Sequence, residues 1–180
     1  MIQLVFAYSE THNVKGEIEM AFGLEDRLPW NHISQDFKNF KARTVGTTLV
    51  MGAKTFQSLP GKLPGRRHIV LHQLGRDVPV TKRGDEADQY ILPERLGFYI
   101  KHHPDEDYSV IGGSSLIQQF APIADKIIIT KIIKRHYVNS TVKLPIEFIR
   151  NIHRNHEMIE THFYKIDNLT NIMETVYAKS

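Results

Sequence analysis

Val110-Ile111-Gly112-Gly113-Ser114-Ser115 closes an apolar, β-branched run and opens a helical stretch that continues to Phe120. Glycines at such a junction let the backbone come close to whatever lies at the strand's end. The free N–H groups of a helix start also favour phosphate. Val50-Met51-Gly52-Ala53-Lys54-Thr55-Phe56 has the same layout, with Lys54 and Thr55 adding a charge and a hydroxyl. A turn that simply needs glycine is the plainer reading of each. The paired glycines also lack the G-x-G-x-x-G spacing of a dinucleotide fingerprint. Working outward, strands are expected at Ile2 to Tyr8, Thr47 to Met51, His68 to His72, Tyr108 to Ile111, Lys126 to Ile133, Glu157 to Lys165 and Ile172 to Ala178. Helices are expected at Ile33 to Arg43, Lys54 to Leu59, Pro93 to His102 and Ser114 to Phe120. Strands alternating with helices, then two strands with no helix between, predict an α/β fold. Its sheet is mostly parallel with an antiparallel C-terminal hairpin. Ser9 to Arg27 reads as a long polar loop of functional type.

The 180 residues suit one domain spanning the chain, and 41% apolar against 24% charged residues argues against disorder. No run is long and uncharged enough to cross a membrane, so no membrane partner is expected. Met1 to Ala7 reads as a first strand rather than a signal peptide, which favours the cytoplasm. There is no cysteine, so disulfides and thiolate metal sites are ruled out. The ten histidines form no H-E-x-x-H pattern, and no metal site is expected. No G-x-S-x-G elbow supports a serine hydrolase. A net charge of +3 suits small anionic ligands. The basic stretch Lys131 to His136 is better explained as the exposed face of a strand than as a nucleic-acid site. The sequence leaves the oligomeric state open.

Leu28-Pro29-Trp30 holds the only Trp, and Asp36 follows among Ile33, Phe37 and Phe40. Asp36 and Phe40 share a helix face. A carboxylate in an apolar setting is costly unless paired, and is a good anchor for a small flat ligand rich in N–H groups. The plainer alternative is a first-turn acid complementing the helix dipole, with Ser34 as cap. Leu63-Pro64-Gly65-Arg66 is a tight turn that aims an Arg, which can grip a carboxylate with two hydrogen bonds.

Taken in order, Leu28-Pro29-Trp30, Asp36 with Phe40, Met51-Gly52-Ala53-Lys54-Thr55-Phe56, Leu63-Pro64-Gly65-Arg66 and Ile111-Gly112-Gly113 make a composite that resembles dihydrofolate reductase, in detail most like its phage-type members. Thr130 falls where that family carries a threonine. The resemblance implies a single-domain fold with a central eight-stranded, mostly parallel sheet flanked by helices. It implies hydride transfer from NADPH to C6 of dihydrofolate with protonation of N5, and binding of antifolates such as methotrexate. Asp36, Trp30, Thr130 and Leu28 would be catalytic. Val5, Phe6, Ala7, Phe40, Leu59 and Ile111 would wall the substrate, with Arg66 on its glutamate tail. Ala7, Lys54, Thr55, Leu71, His72, Gln73, Gly112, Gly113, Ser114, Ser115, Leu116 and Ile117 would bind the cofactor. A cis peptide between the paired glycines would also follow. Some positions depart from the family pattern. Ala53, His72, Gln73 and Ser115 stand where relatives carry other, often basic, residues, so these positions admit NADH as well as NADPH. Ile117 replaces a Tyr hydroxyl.

Overall fold

The computed structural model describes residues 1–180. Its strands are β1 (Ile2–His12), β2 (Ile18–Gly23), β3 (Thr48–Met51), β4 (His68–Leu71), β5 (Gln89–Ile91), β6 (Tyr108–Gly112), β7 (Lys126–Lys134), β8 (Val142–Leu144), β9 (His156–Lys165) and β10 (Thr170–Lys179). Its helices are α1 (Ser34–Thr44), α2 (Ala53–Ser58), α3 (Leu96–His102), α4 (Ser114–Phe120) and α5 (Ile146–Asn155). Eight strands form the central sheet in the order β5-β4-β3-β6-β1-β7-β10-β9, while β2 and β8 branch from the end of β1. The strands from β5 to β7 pair in parallel, and β10 pairs antiparallel with both β7 and β9. The expected architecture is therefore present. No helix is long and apolar enough to cross a membrane.

The period-two alternation of each strand sorts the core into two faces. Leu4, Phe6, Tyr8, Val50, Ile69, Val110, Ile127 and Ile129 meet Leu96, Leu116, Ile117, Phe120, Ile149 and Ile152 from α3, α4 and α5 on one face. Val5, Ile128 and Val176, with Leu49, Met51, Phe56 and Val70, form the other face, against which Phe40 of α1 and Ile111 pack.

Five features depart from the sequence expectation. Ser9 to Arg27 is not a loop. Ser9–His12 of β1 pairs antiparallel with Ile18–Ala21, and β8 extends that ribbon. Its turn closes on Gly16, whose φ of +77° favours glycine, and Asn13 Oδ1 accepts from Lys15 and Glu17 N–H. The strands β5 and β8 have three residues each, too short to show an alternation. Helix α5 is absent from the sequence expectation, although it carries helix signals. An extended Pro145 precedes it, Glu147 is in its first turn, His153 and Arg154 are in its last, and Ile149 and Ile152 are buried three apart. Finally, Ser34 caps nothing. Ile33 holds the N-cap position of α1 without a side-chain bond, and Ser34 Oγ lies 3.3 Å from His32 Nε2.

Candidate active site

The sheet opens at one place. Strand β1 pairs with β6 only from Ile2 to Leu4, but with β7 as far as Tyr8. Beyond Leu4, β1 and β6 part, so Val5 to Ala7 and Ile111 to Gly112 border a crevice at the strands' C-terminal ends. The chain leaves β1 toward β3 and leaves β6 toward β7, in opposite directions along the sheet. Ligands of open parallel sheets sit at such a switch point.

Asp36 enters this crevice from the first turn of α1. Burial pushes its carboxyl up to about 6. The neighbouring Thr130 hydroxyl pulls the other way, Glu174 raises it further and His32 lowers it. Thr130 is buried on β7, directly opposite Ala7 of β1 on one side and Glu174 of β10 on the other. Trp30 is buried against Ala21, Ile33, Ile132, Val138 and Ile172, with Ala7 packed on the same cluster. A tight turn precedes it, in which Leu24 and Arg27 exchange backbone hydrogen bonds. Leu28 stands exposed beyond that turn, at the rim.

The apolar wall is Val5, Phe40 and Ile111, continued by Leu59. Phe6 does not belong to it. Strand alternation turns its ring to the opposite face, where it packs on Phe22 and Phe148 at 6.4 and 6.2 Å. Arg66 lies over the far end of the wall, its guanidinium 5.9 Å from the Phe40 ring centroid. Its Nη1 donates to Thr44 Oγ1 at 2.9 Å and its Nε to the Pro64 carbonyl at 3.2 Å. It has no acidic partner, and burial lowers its pKa. An oriented cation without a counter-charge suits an incoming carboxylate.

The Arg66 turn rests on His68, which the sequence marks only as part of a strand. His68 is fully buried. Its Nε2 accepts from Leu63 N–H at 3.0 Å and its Nδ1 faces the Arg66 carbonyl at 3.0 Å. Only a neutral ring carrying its proton on Nδ1 satisfies both contacts. Burial also lowers its pKa.

On the other side of the crevice, the two glycine junctions meet. Gly52 N–H donates to the Gly112 carbonyl at 2.9 Å. A Cβ on Gly112 would fall 2.8 Å from Thr55 Oγ1, so glycine is required there by close approach. The Gly112–Gly113 peptide is cis, as expected. Lys54, Gln73 and Ser115 are exposed, and Leu71 and His72 are half-buried at the end of β4. His72 Nε2 meets the Arg76 carbonyl at 3.0 Å, which folds Arg76 back beside it. Two expected cofactor residues turn away. Leu116 and Ile117 are buried in the core under α4, because that helix lays its apolar stripe on the sheet. Of the α4 start, Gly113, Ser114 and Ser115 remain at the crevice end.

Arg43 and Glu174 also escaped the sequence reading. Arg43 Nε and Nη2 donate to Glu174 Oε2 and Oε1 at 3.3 and 2.8 Å, and Nη2 reaches Glu160 Oε2 at 3.1 Å. The Glu174 side chain is only 4% exposed. An acid in mid-strand is the only sequence signal for it, and its partner lies 131 residues away.

Comparison with known proteins agrees with this arrangement. The model of the dihydrofolate reductase family matches residues 1–176. Dihydrofolate reductase type 9 of Escherichia coli is 37% identical over 114 residues, a stretch covering 61% of this chain and 62% of that enzyme. The dihydrofolate reductase of Staphylococcus aureus is 32% identical over 124 residues, covering 66% of this chain and 68% of that enzyme. A solved dihydrofolate reductase from Enterococcus faecalis, complexed with NADP(H) and RAB-propyl, superposes with a TM-score of 0.73 at 22% identity. It covers 100% of this chain and 97% of that one. The chain therefore belongs to the dihydrofolate reductase family.

Proposed function

We propose that the protein reduces 7,8-dihydrofolate to 5,6,7,8-tetrahydrofolate with NADPH. The observation that carries this reading is Asp36, a half-buried carboxyl at the β1–β6 crevice beside Thr130 and pushed up to about 6. When ionised, its two oxygens match the paired N–H donors of a pterin, N3–H and the 2-amino group. When protonated, it favours delivery of a proton to N5 through water. Val5, Ala7, Phe40, Leu59 and Ile111 wall the ring, and Trp30 closes the water's side. Arg66 takes the α-carboxylate of the glutamate tail.

The residues facing the other flank fit a nicotinamide dinucleotide. The tight Gly112–Thr55 packing leaves backbone rather than side chain at the junction. Thr55, Lys54, Ser114 and Ser115 would hold phosphates, with His72, Gln73 and Arg76 toward the adenosine end and Ala7, Leu71, Gly112 and Gly113 along the dinucleotide. NADPH supplies the hydride. The protein's part is to hold two rings face to face and exclude water. Leu28 at the rim covers them.

Loss of reduced-nicotinamide absorbance on adding dihydrofolate, run with NADPH and NADH in parallel, tests the reading. Oxidation that requires dihydrofolate and is abolished by methotrexate supports it. Folded protein that oxidises neither cofactor refutes it.

A further inference from the structure

Buried polar groups nearly always find a hydrogen-bond partner. Three hydroxyls on the reverse face of the sheet have none within the protein. Tyr8 on β1 and Thr175 and Tyr177 on β10 are only 4%, 5% and 9% exposed. Nor are their oxygens sealed in, since the enclosed side-chain atoms without a partner, Asn39 Nδ2 and Ser140 Oγ, lie elsewhere. The open side of all three is one cleft, which Ile129, Lys131, His153 and Met173 also line. Its space is about 340 Å³, counted to the open mouth.

The cleft is separate from the crevice. Tyr8, Lys131 and Thr175 each follow a residue of the Asp36 face, namely Ala7, Thr130 and Glu174, so strand alternation turns them through the sheet. Tyr8 lies directly opposite Lys131, which lies opposite Met173, and Ile129 lies opposite Thr175. Helix α5 adds exposed His153 at the mouth, its ring stacked on Tyr177 at 5.5 Å.

The lining has two halves. One is a set of donors. Burial, then Glu10 and Tyr177, push the Tyr8 phenol up, and burial raises Tyr177, so both hydroxyls keep their protons. Lys131 Nζ is 3.7 Å from Glu10 Oε1, beyond hydrogen-bond length, which leaves its N–H groups uncommitted. The other half is apolar, made by buried Ile129 and half-buried Met173. Water can satisfy hydroxyls, but it uses neither the ammonium charge nor the apolar wall. Convergent donors over an apolar floor are the pattern of a small-molecule site.

We propose that this cleft is a second ligand site, for a small carboxylate whose oxygens take Lys131 and the Tyr8, Thr175 and Tyr177 hydroxyls as donors and whose short apolar tail lies on Ile129 and Met173. The proposal does not depend on which reaction the crevice performs.

Butyrate is the probe, and butyramide is its uncharged analogue. In protein carrying 13C-methyl methionine, with the Met173 signal assigned by Met173→Leu, butyrate should shift that signal saturably. Butyramide should bind at least tenfold more weakly, as should butyrate to Lys131→Met, since a hydrogen bond to a charged group is lost. Acetate and inorganic phosphate, which lack the tail, should bind several-fold more weakly than butyrate. Tyr8→Phe and Thr175→Val should each weaken butyrate about threefold or more, yet leave the thermal midpoint of the free protein unchanged, because neither hydroxyl has a protein partner to lose. Arg66→Leu should leave the Met173 response intact, which separates this site from the crevice. No saturable shift at Met173, equal binding of butyrate and butyramide, or full affinity in Lys131→Met overturns the proposal. Hydroxyl variants that lower stability without weakening butyrate overturn it as well, and make the cleft a water site only.

Discussion

Thr130 and Glu174 sit directly opposite each other across the β7–β10 ladder, on the sheet face that carries Asp36. Thr130 adjoins Asp36, so the proposed catalytic carboxyl has a second, buried carboxylate one strand behind it. Arg43 clamps Glu174 from α1, the same helix that presents Asp36. Glu174 raises Asp36, and Arg43 limits how far that charge is felt.

The pair can be read through the pH profile of turnover. The protonated Asp36 fraction falls as pH rises through about 6. Glu174→Gln removes a like charge and should move the midpoint of the alkaline decline to lower pH. Arg43→Met leaves Glu174 unpaired and should move it up, while costing about 3–5 kcal/mol of stability as a broken buried ion pair. Unchanged midpoints in both variants would leave the pair a purely structural role.

Asp36 should also cost stability. Its folded-state pKa is raised above its ordinary value of 3.8. The stabilisation of its protonated form is therefore fully present below about pH 4 and is lost as pH rises through about 6. At pH 7 and above, Asp36→Asn should be more stable than the unmodified protein by about 1–2 kcal/mol after allowing for partial exposure. Below pH 4 the two should converge. Urea unfolding at several pH values measures the gap. A variant less stable at pH 7 would contradict the assignment of burial as the dominant cause.

Arg66 has no acidic partner in the free protein, so its binding role predicts a clean separation of kinetic constants. Arg66→Leu should raise the KM for dihydrofolate by about 10–100-fold, the worth of one to two charge-assisted hydrogen bonds, with kcat nearly unchanged. Binding of a pterin lacking the glutamate tail should be unaffected. An equal loss for tailed and tail-less ligands would place Arg66 elsewhere in the mechanism.

His68 should be neutral at pH 7 with its proton on Nδ1, a state visible in the 15N shifts of the ring. Its lowered pKa has the opposite sign to that of Asp36. The stability it contributes is present above the ordinary histidine range and is lost as pH falls through the depressed value. Protonation removes the acceptor for Leu63 N–H and loosens the turn that aims Arg66, so KM for dihydrofolate should rise in acid. A proton found on Nε2 at pH 7 would contradict the hydrogen-bond assignment.

Gly112→Ala should weaken NADPH binding and destabilise the fold, because its Cβ would meet Thr55 Oγ1 at 2.8 Å. Thr55→Gly removes that obstacle, so the double variant should recover part of the loss in stability. Strict additivity of the two changes would rule out the contact as the cause.

The parts legible in the sequence were those with a local pattern. Long apolar strands such as Lys126–Lys134 showed themselves by β-branched content, and α4 by its glycine pair and following helix former run. The ribbon β2 was hidden because Glu17 and Glu19 make it look like a polar loop, although Met20 and Ala21 bury one stretch of it. Site residues carried by compact motifs, Asp36, Arg66 and the glycine junctions, came together. Those read from position alone depended on which way a side chain turned, and Phe6, Leu116 and Ile117 turned into the opposite core. Arg43, Glu174 and His68 matter through partners that only the topology brings near.

Asp36 in the β1–β6 crevice is proposed to serve reduction of dihydrofolate. Dihydrofolate-dependent NADPH oxidation by the unmodified protein and by Asp36→Asn at neutral pH tests it most directly, with circular dichroism confirming that both fold. Methotrexate-sensitive turnover is expected in the first and a loss of about 10²–10⁴-fold in the second. Near-equal turnover in the two would contradict it.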